Sequence, residues 1–576
     1  MSCKRNWFGL SLAVSLALVL GACGTHDDPS ENDDKNTTET GYVVSGIVTN
    51  YADGNPMSGV NIVLGERTAT TDEDGYWEFT GVTGTHTLHV ADESATFCPQ
   101  TITVTRTSRR NDFTAHQGSD GPEGMAGQGV YGDPYVIQNV RQLQAINENL
   151  DGHYILCNDI DGSEAAELNE GTGFAPIGQA HPDLSGELDG FRGVLNGRNH
   201  QIHDLSIDRS EVEKWYEHAH VVGLFSVVAE TGQIMDLTLV RGSVQGEGYV
   251  GAFAGLNAGR LLNVSNDGMS VQGDENVGGI VGENVGQGLI QGAHNSGSVT
   301  GIYAVGGIAG GAEADTTIRE GFNAGDVTAG PLGYDAGGIV GENEGLVEYS
   351  HNAGHVQGYD NVGGIVGETP EDGTVRDSFN IASVSGRNNV GGVVGSNRFE
   401  THDYPSTILR VYNTGTVEGE NNVGGVAGRD QYQTSHSFNL GEVRGTGENV
   451  GGVIGYKDGG LPLVHSYNMG AVSGSNAVGG IAGKVSNITV EHTYNTGIVK
   501  GDANVGGLVG VVDPDATVSM SYFQNDGPDG GPDNGHGLGL SANQLKQSGT
   551  YIHWSDFDLF WNISEGDYPD LRDNAR

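Results

Sequence analysis

Several stretches of this 576-residue chain carry residue types that do chemistry. Gly479-Gly480-Ile481-Ala482-Gly483-Lys484 has the glycines and lysine of a phosphate-cradling loop. A P-loop also needs Gly at 478 and Ser or Thr at 485, and these positions hold Val478 and Val485. His218 and His220 lie beside Glu213 and Glu217. Alternate residues of a strand share a face and can hold a metal; a solvated loop is the plainer reading. The tract Asn525–Gly537 is acidic and loop-like, so it reads as a plain loop or a weak calcium site. Asp72 and Asp74 lack the rest of a twelve-residue calcium loop and read as a hairpin turn. The chain contains no HExxH, no G-x-S-x-G and no papain-like Cys–His set. No catalytic residue, metal ligand or resident cofactor is therefore assigned, with Ca²⁺ kept as a weak alternative.

The elements that would position such residues follow from a repeat. Asn361–Glu368 reads NVGGIVGE, and the same eight residues occur at Asn276–Glu283. Glycine pairs in this frame start at Gly278, Gly306, Gly337, Gly363, Gly391, Gly424, Gly451, Gly479 and Gly506, at intervals of 26 to 33 residues. A second landmark, N-x-G-x-V, starts at Asn295, Asn323, Asn352, Asn413, Asn439, Asn468 and Asn495, and at Asn380 with Ala382 in place of glycine. An aromatic residue or His precedes each of these asparagines. A unit of about 28 residues with short β-branched runs is too small for an independent domain. It suits one coil of a β-solenoid, with about three strands per coil and coils roughly 4.8 Å apart. Valine and isoleucine would fill the interior, glycine would relax the corners, and stacked asparagines would bond coil to coil. On this frame the glycines near Lys484 are structural. His351 and His355 fill repeat corners.

Cleavage of a polysaccharide on such a solenoid needs clustered cations for a lyase, or close carboxylates on adjacent coils for a hydrolase. Glu283, Glu342 and Glu368 share a repeat position but read as lying on non-consecutive coils. Departures from the period are more informative, because insertions in solenoids emerge as corner loops and loops carry recognition. The long intervals contain Pro331–Asp335 and Arg398–Arg410. Tyr334, Phe399, His402, Asp403 and Tyr404 are the candidate binding-loop residues.

Lys4 and Arg5 precede an apolar run, Leu10–Leu20, that is too short to span a bilayer and reads as part of a signal peptide. It ends in Leu20-Gly21-Ala22-Cys23, which resembles the bacterial lipobox. The resemblance implies removal of residues 1–22 and acylation of Cys23. Gly24 in place of aspartate implies the outer membrane. The formal charge of −47 becomes −49 when Lys4 and Arg5 leave. Such a surface repels nucleic acid, anionic lipid and polyuronate. Cys98 and Cys157 remain; an oxidising envelope favours their pairing, but they fall in different expected domains.

Residues 23–41 form an acidic linker. Residues 42–117 show short alternating strands of a β-sandwich. The runs Val44–Val48, Pro56–Val60 and Thr71–Phe79 resemble the carboxypeptidase regulatory-like domain, a transthyretin-type accessory module. Residues 118–128 form a second linker. The repeats of 211–510, with an opening segment at 129–210 and a closing segment at 511–576, resemble the GLUG-motif repeats of bacterial surface proteins. That resemblance implies an all-β protein with a right-handed parallel β-helix, in a family often classed as adhesins. The expected function is non-catalytic adhesion to a glycan or protein surface. The alternatives are a carbohydrate-active β-helix enzyme and a structural spacer.

Overall fold

A computed structural model describes residues 41–178, 190–210, 221–370, 372–398, 406–527, 531–554 and 556–572. The architecture is nearly all β. Residues 42–116 form two four-stranded sheets, one built on Tyr42–Asn50 and the other on Asn61–Leu64. Their facing residues Val44, Trp77, Phe79, Leu88 and Phe113 make one core. Asp72 accepts the backbone N–H groups of Asp74 at 3.0 Å and Tyr76 at 2.8 Å, as a turn-forming aspartate does. Cys98 and Cys157 are joined by a disulfide, with Cα atoms 5.1 Å apart. The bond ties the sandwich to the start of the solenoid, and Ala126, Val136 and Ile155 bury it.

From Tyr135–Ile137 onward the strands stack in parallel, coil on coil. One face is an eleven-stranded sheet running from Phe225–Val228 to Val509–Val512. Columns of like residues fill the interior. Val271, Val299, Val327, Val356, Val384, Val417, Val443 and Val472 pair in strict register. Each of these side chains is buried and contributes about 1.5–3 kcal/mol.

The glycine pairs serve a different purpose from corner flexibility. A Cβ on Gly363 would lie 1.9 Å from the Val366 carbonyl oxygen, and one on Gly364 would lie 2.2 Å from the Gly392 oxygen. Close backbone approach excludes any side chain there. The left-handed corner is two residues earlier, at Asn361 (φ +55°), Asn389 (+53°), Asn422 (+53°) and Asn449 (+61°). Asparagine tolerates that conformation better than other residues with a side chain.

The second asparagine column bonds coil to coil as expected. Asn295 Nδ2 donates to Asn323 Oδ1 at 2.8 Å, and the pattern repeats through Asn352, Asn380, Asn413, Asn439, Asn468 and Asn495. Beside it runs a stack of rings: His294, Phe322, His351, Phe379, Tyr412, Phe438, Tyr467 and Tyr494, with centroids 4.3–5.0 Å apart. His351 therefore fills a column, as the spacing predicts. The last coils of this stack are covered by Tyr551, Trp554, Trp561 and Leu571 of the closing segment.

That cover is pH-sensitive. Trp561 Nε1 donates to His465 Nδ1 at 3.2 Å. Burial, and then the neighbours His436 and His492, push His465 down to about 3. The docked state excludes a proton that the undocked state accepts near pH 6.5. The contribution is therefore full above pH 6.5 and is lost as pH falls from there towards 3. Tryptophan fluorescence should report a more solvent-exposed cap at pH 4 than at pH 7. His465→Gln should flatten that change, and an identical acid transition in the variant would refute the assignment.

Candidate functional site

The register of the solenoid breaks at one place in a way that builds a groove. The long strand Val327–Gly337 pairs with Val299–Gly306. Gly301 faces Ala329, but the next pair is Tyr303 with Tyr334, so the four residues Gly330–Gly333 stand opposite the single Ile302, with Pro331 and Leu332 exposed on the bulge. This is the insertion singled out by the irregular spacing. It sets the Tyr303 and Tyr334 rings parallel, 5.9 Å apart and 4° from coplanar orientation. The next coil supplies the much shorter Asp360 at this position, followed by Asn388. Among the described residues the ring stack ends at Tyr334, and the ring's far face looks over Asp360.

Asp335 follows, at the left-handed corner (φ +59°) where other coils carry asparagine. Asn449 donates to Asn422, Asn422 to Asn389, and Asn389 to Asn361, each at 2.8 Å. Asn361 in turn donates to Asp335 Oδ1 at 2.9 Å. The carboxyl group thus ends an amide ladder. The preceding coil has Ala304 at this corner, which offers no polar side chain below it.

Glu368 stands on the adjacent wall. Glu342 and Glu368 are paired in register on consecutive coils, which corrects the sequence reading of these positions as non-consecutive. Only Glu283 is set apart, because Gly311 separates it from Glu342. The successive frames at Gly337 and Gly363 already imply this adjacency. Glu368 is 6% exposed and forms an ion pair with Arg398 Nε at 2.8 Å. Its column continues as Ser396 and Arg429. These residues enclose a groove of about 440 Å³.

The electrostatics of the groove are uneven. Burial, and then the Glu368 carboxylate, push Asp335 up to about 8, although Asn361 and Arg398 oppose the shift. Glu283, two coils away from Glu342, is likewise pushed up to about 8 by burial and by Glu313, Glu342 and Glu344. Arg429 places Nη2 3.8 Å from Asp458, while its Nε is buried without a hydrogen-bond partner among the described residues.

Of the predicted binding residues, Tyr334 lies in the groove. Phe399, His402, Asp403 and Tyr404 lie outside the described residues, as do Cys23 and the His218–His220 set. Arg398, the first residue of the second insertion, lines the same groove. The groove is therefore lined by the first departure from period and by the residue at which the second begins. Spacing alone did not single out Asp335, Asn361, Glu368 or Arg429. The available signal was an acid in a column of asparagines. Lys484 pairs with Asp513 at 3.1 Å and lies over the Tyr456 ring, in keeping with a structural part for its glycine-rich neighbours. Among the described residues, no group of three or more His, Cys, Asp or Glu is arranged to hold a metal.

No family model matches the chain. Over 270 residues it is 32% identical to halomucin of Haloquadratum walsbyi, a match covering 43% of this chain and 3% of halomucin. Over 144 residues it is 31% identical to a "putative Gly-rich membrane protein" of Evansella cellulosilytica, covering 24% of this chain and 15% of that protein. A solved structure of a "putative immunoglobulin A1 protease" from Bacteroides ovatus aligns over 78% of this chain and 94% of its own, at 15% identity and a TM-score of 0.29. That score is too low for the likeness to bear on the fold or activity of this chain. The chain thus spans only a small fraction of the length of the curated relatives it matches.

Proposed function

We propose that this protein is a cell-surface lipoprotein that works by binding: acylated Cys23 holds it to the outer membrane, and the solenoid presents its groove to a glycan or protein surface. The observation that carries this reading is the break in register at Gly330–Gly333, which sets Tyr334 in a groove that Arg398, the first residue of the second insertion, also lines. A regular solenoid needs no such break for stability, and loops that interrupt repeats are where recognition concentrates. The GLUG-motif resemblance points the same way, and the regulatory-like sandwich fits a spacer. One matched relative is named halomucin and another a membrane protein, which supports a surface or membrane setting. Many copies on one cell give avidity from a modest single-site affinity.

The test is retention of cells displaying the full chain on arrays of immobilised glycans and matrix proteins. Retention should fall at least tenfold with Tyr334→Ala. Cys23→Ala should release the chain from the membrane and abolish both palmitate labelling and cell retention. Retention equal to that of cells lacking the protein on every surface would sink the adhesion reading.

A second reading, a carbohydrate-cleaving enzyme, is favoured by one observation. A carboxyl group held neutral near pH 7 stands beside a carboxylate held by arginine. Such a pair divides acid and base roles. Release of reducing ends from the retained glycans, lost in Glu368→Gln, would favour that reading over adhesion.

A further inference from the structure

We infer that the groove takes an uncharged oligosaccharide, with a sugar ring seated on the face of Tyr334 turned away from Tyr303 and its hydroxyl groups bound by Asp335, Asn361 and Arg429. This rests on the binding reading above and gives it a ligand class.

Four features converge on that class. First, among the described residues the ring stack stops at Tyr334, so one face of the ring is backed by Tyr303 and the other has no ring partner among them, Asp360 standing at that position in the next coil. The negative face of an aromatic ring suits the C–H face of a pyranose, which needs an apolar plane with polar groups around its rim. Second, the polar groups around that plane are fixed. Asn361 is held at both ends, by Asn389 and Asp335, so its amide is pre-oriented. Asp335 accepts from Asn361 through Oδ1, the preceding coil offers it only the apolar Ala304, and it lines the groove. Preorganised polar groups bind at a lower ordering cost than mobile ones. Third, Arg429 carries a buried Nε donor with no partner among the described residues, which a hydroxyl group can satisfy. Fourth, the volume of about 440 Å³ lies in the range of small-ligand sites, roughly 300–1,000 Å³.

Charge selects against the other classes. The chain carries −47 overall, which disfavours uronates, sulfated glycans and nucleic acid. The groove's arginines already face Glu368 and Asp458, so neither is free to neutralise a sugar carboxylate. A lysine-rich peptide would need open carboxylates. Glu368 is buried against Arg398, and burial keeps Asp335 protonated at neutral pH.

Titration calorimetry on the mature full-length protein tests this. The probes are neutral hexose and N-acetylhexosamine oligosaccharides, an oligouronate, and a lysine-rich peptide. At least one neutral oligosaccharide should bind. Tyr334→Ala should weaken it at least tenfold without moving the melting temperature, and Tyr334→Phe should stay within about threefold of the parent. No binding across the neutral set overturns the inference. So does binding that Tyr334→Ala leaves unchanged, or a preference for the uronate or the peptide. If neutral sugars bind but fail to displace attached cells, the adhesion reading falls and the ligand class stands. If cells attach independently of Tyr334 and of added sugars, adhesion stands and the ligand class falls.

Discussion

Asp335→Asn should stabilise the solenoid, and the gain should grow as pH rises from about 4 to 8. Asp335 replaces the asparagine found at the same left-handed corner in Asn361, Asn389, Asn422 and Asn449. Asn361 Nδ2 donates to Asp335 Oδ1, and an amide oxygen at 335 accepts the same bond. What the substitution removes is the ionisation penalty. The carboxyl group is raised from 3.8 to about 8, first by burial and then by Glu368. The folded state thus keeps a proton that the unfolded chain has already released. Stability contributed by the protonated group is full below pH 3.8 and falls as pH rises through 8. The full shift corresponds to about 6 kcal/mol. Asp335 lines a groove open to water rather than the sealed core, and solvent screening reduces this to about 1–3 kcal/mol. Thermal unfolding at pH 5 and pH 9 checks the sign. The midpoint of Asp335→Asn should exceed the parent's at both, by more at pH 9. An equal gain at both values would show that ionisation is not the cause, and a loss would show that the acid is a structural requirement. A stabilising substitution that weakens ligand binding would mark Asp335 as retained for function.

The solenoid was legible because its demands are local and repeated. Backbone approach excludes a Cβ at Gly363 and Gly364, so the same pair recurs in coil after coil. The buried amide ladder similarly admits only asparagine, which donates to one neighbour, accepts from the other, and clips its own turn through Asn352 Nδ2 to Gly354 O. The groove was legible in outline. Irregular spacing pointed to Tyr334, which the bulge at Gly330–Gly333 brings into stack with Tyr303. The walls were harder to see, because Glu368 and Arg429 become neighbours of Asp335 only when separate repeats are laid in register. Domain boundaries alone leave the pairing of Cys98 and Cys157 open. The disulfide joins the two units because Thr96–Cys98 and His153–Leu156 bring their ends together across the junction. Such a contact between non-repeating segments leaves no period in the sequence.

The same ladder logic predicts the largest loss, at Lys457. A second buried column carries Asn397, Asp430 and Lys457 on successive coils. Asn397 Nδ2 donates to Asp430 Oδ1 at 2.7 Å, and Lys457 Nζ lies 3.1 Å from Asp430 Oδ2. Lys457 also donates to the Tyr432 carbonyl oxygen at 2.8 Å. Both charged side chains are 0% exposed, and burial pulls the ammonium below its usual lysine value although Asp430 opposes this. Lys457→Met should cost about 3–5 kcal/mol, because it leaves the Asp430 charge buried without its cation. Adding Asp430→Asn should recover most of that loss. The amide oxygen still accepts from Asn397 and from the Tyr432 N–H, now at 3.0 Å from Asp430 Oδ1, and the column becomes uncharged. Solenoid coils are stabilised mainly by their neighbours, so the loss should be local. Amide exchange should therefore rise first in the coils around residues 397–485 in the single variant and return in the double. Equal destabilisation by Lys457→Met in the Asp430→Asn background would show that the lysine acts by packing its stem. Recovery would show that the coil holds two charges where one amide would hold the stack.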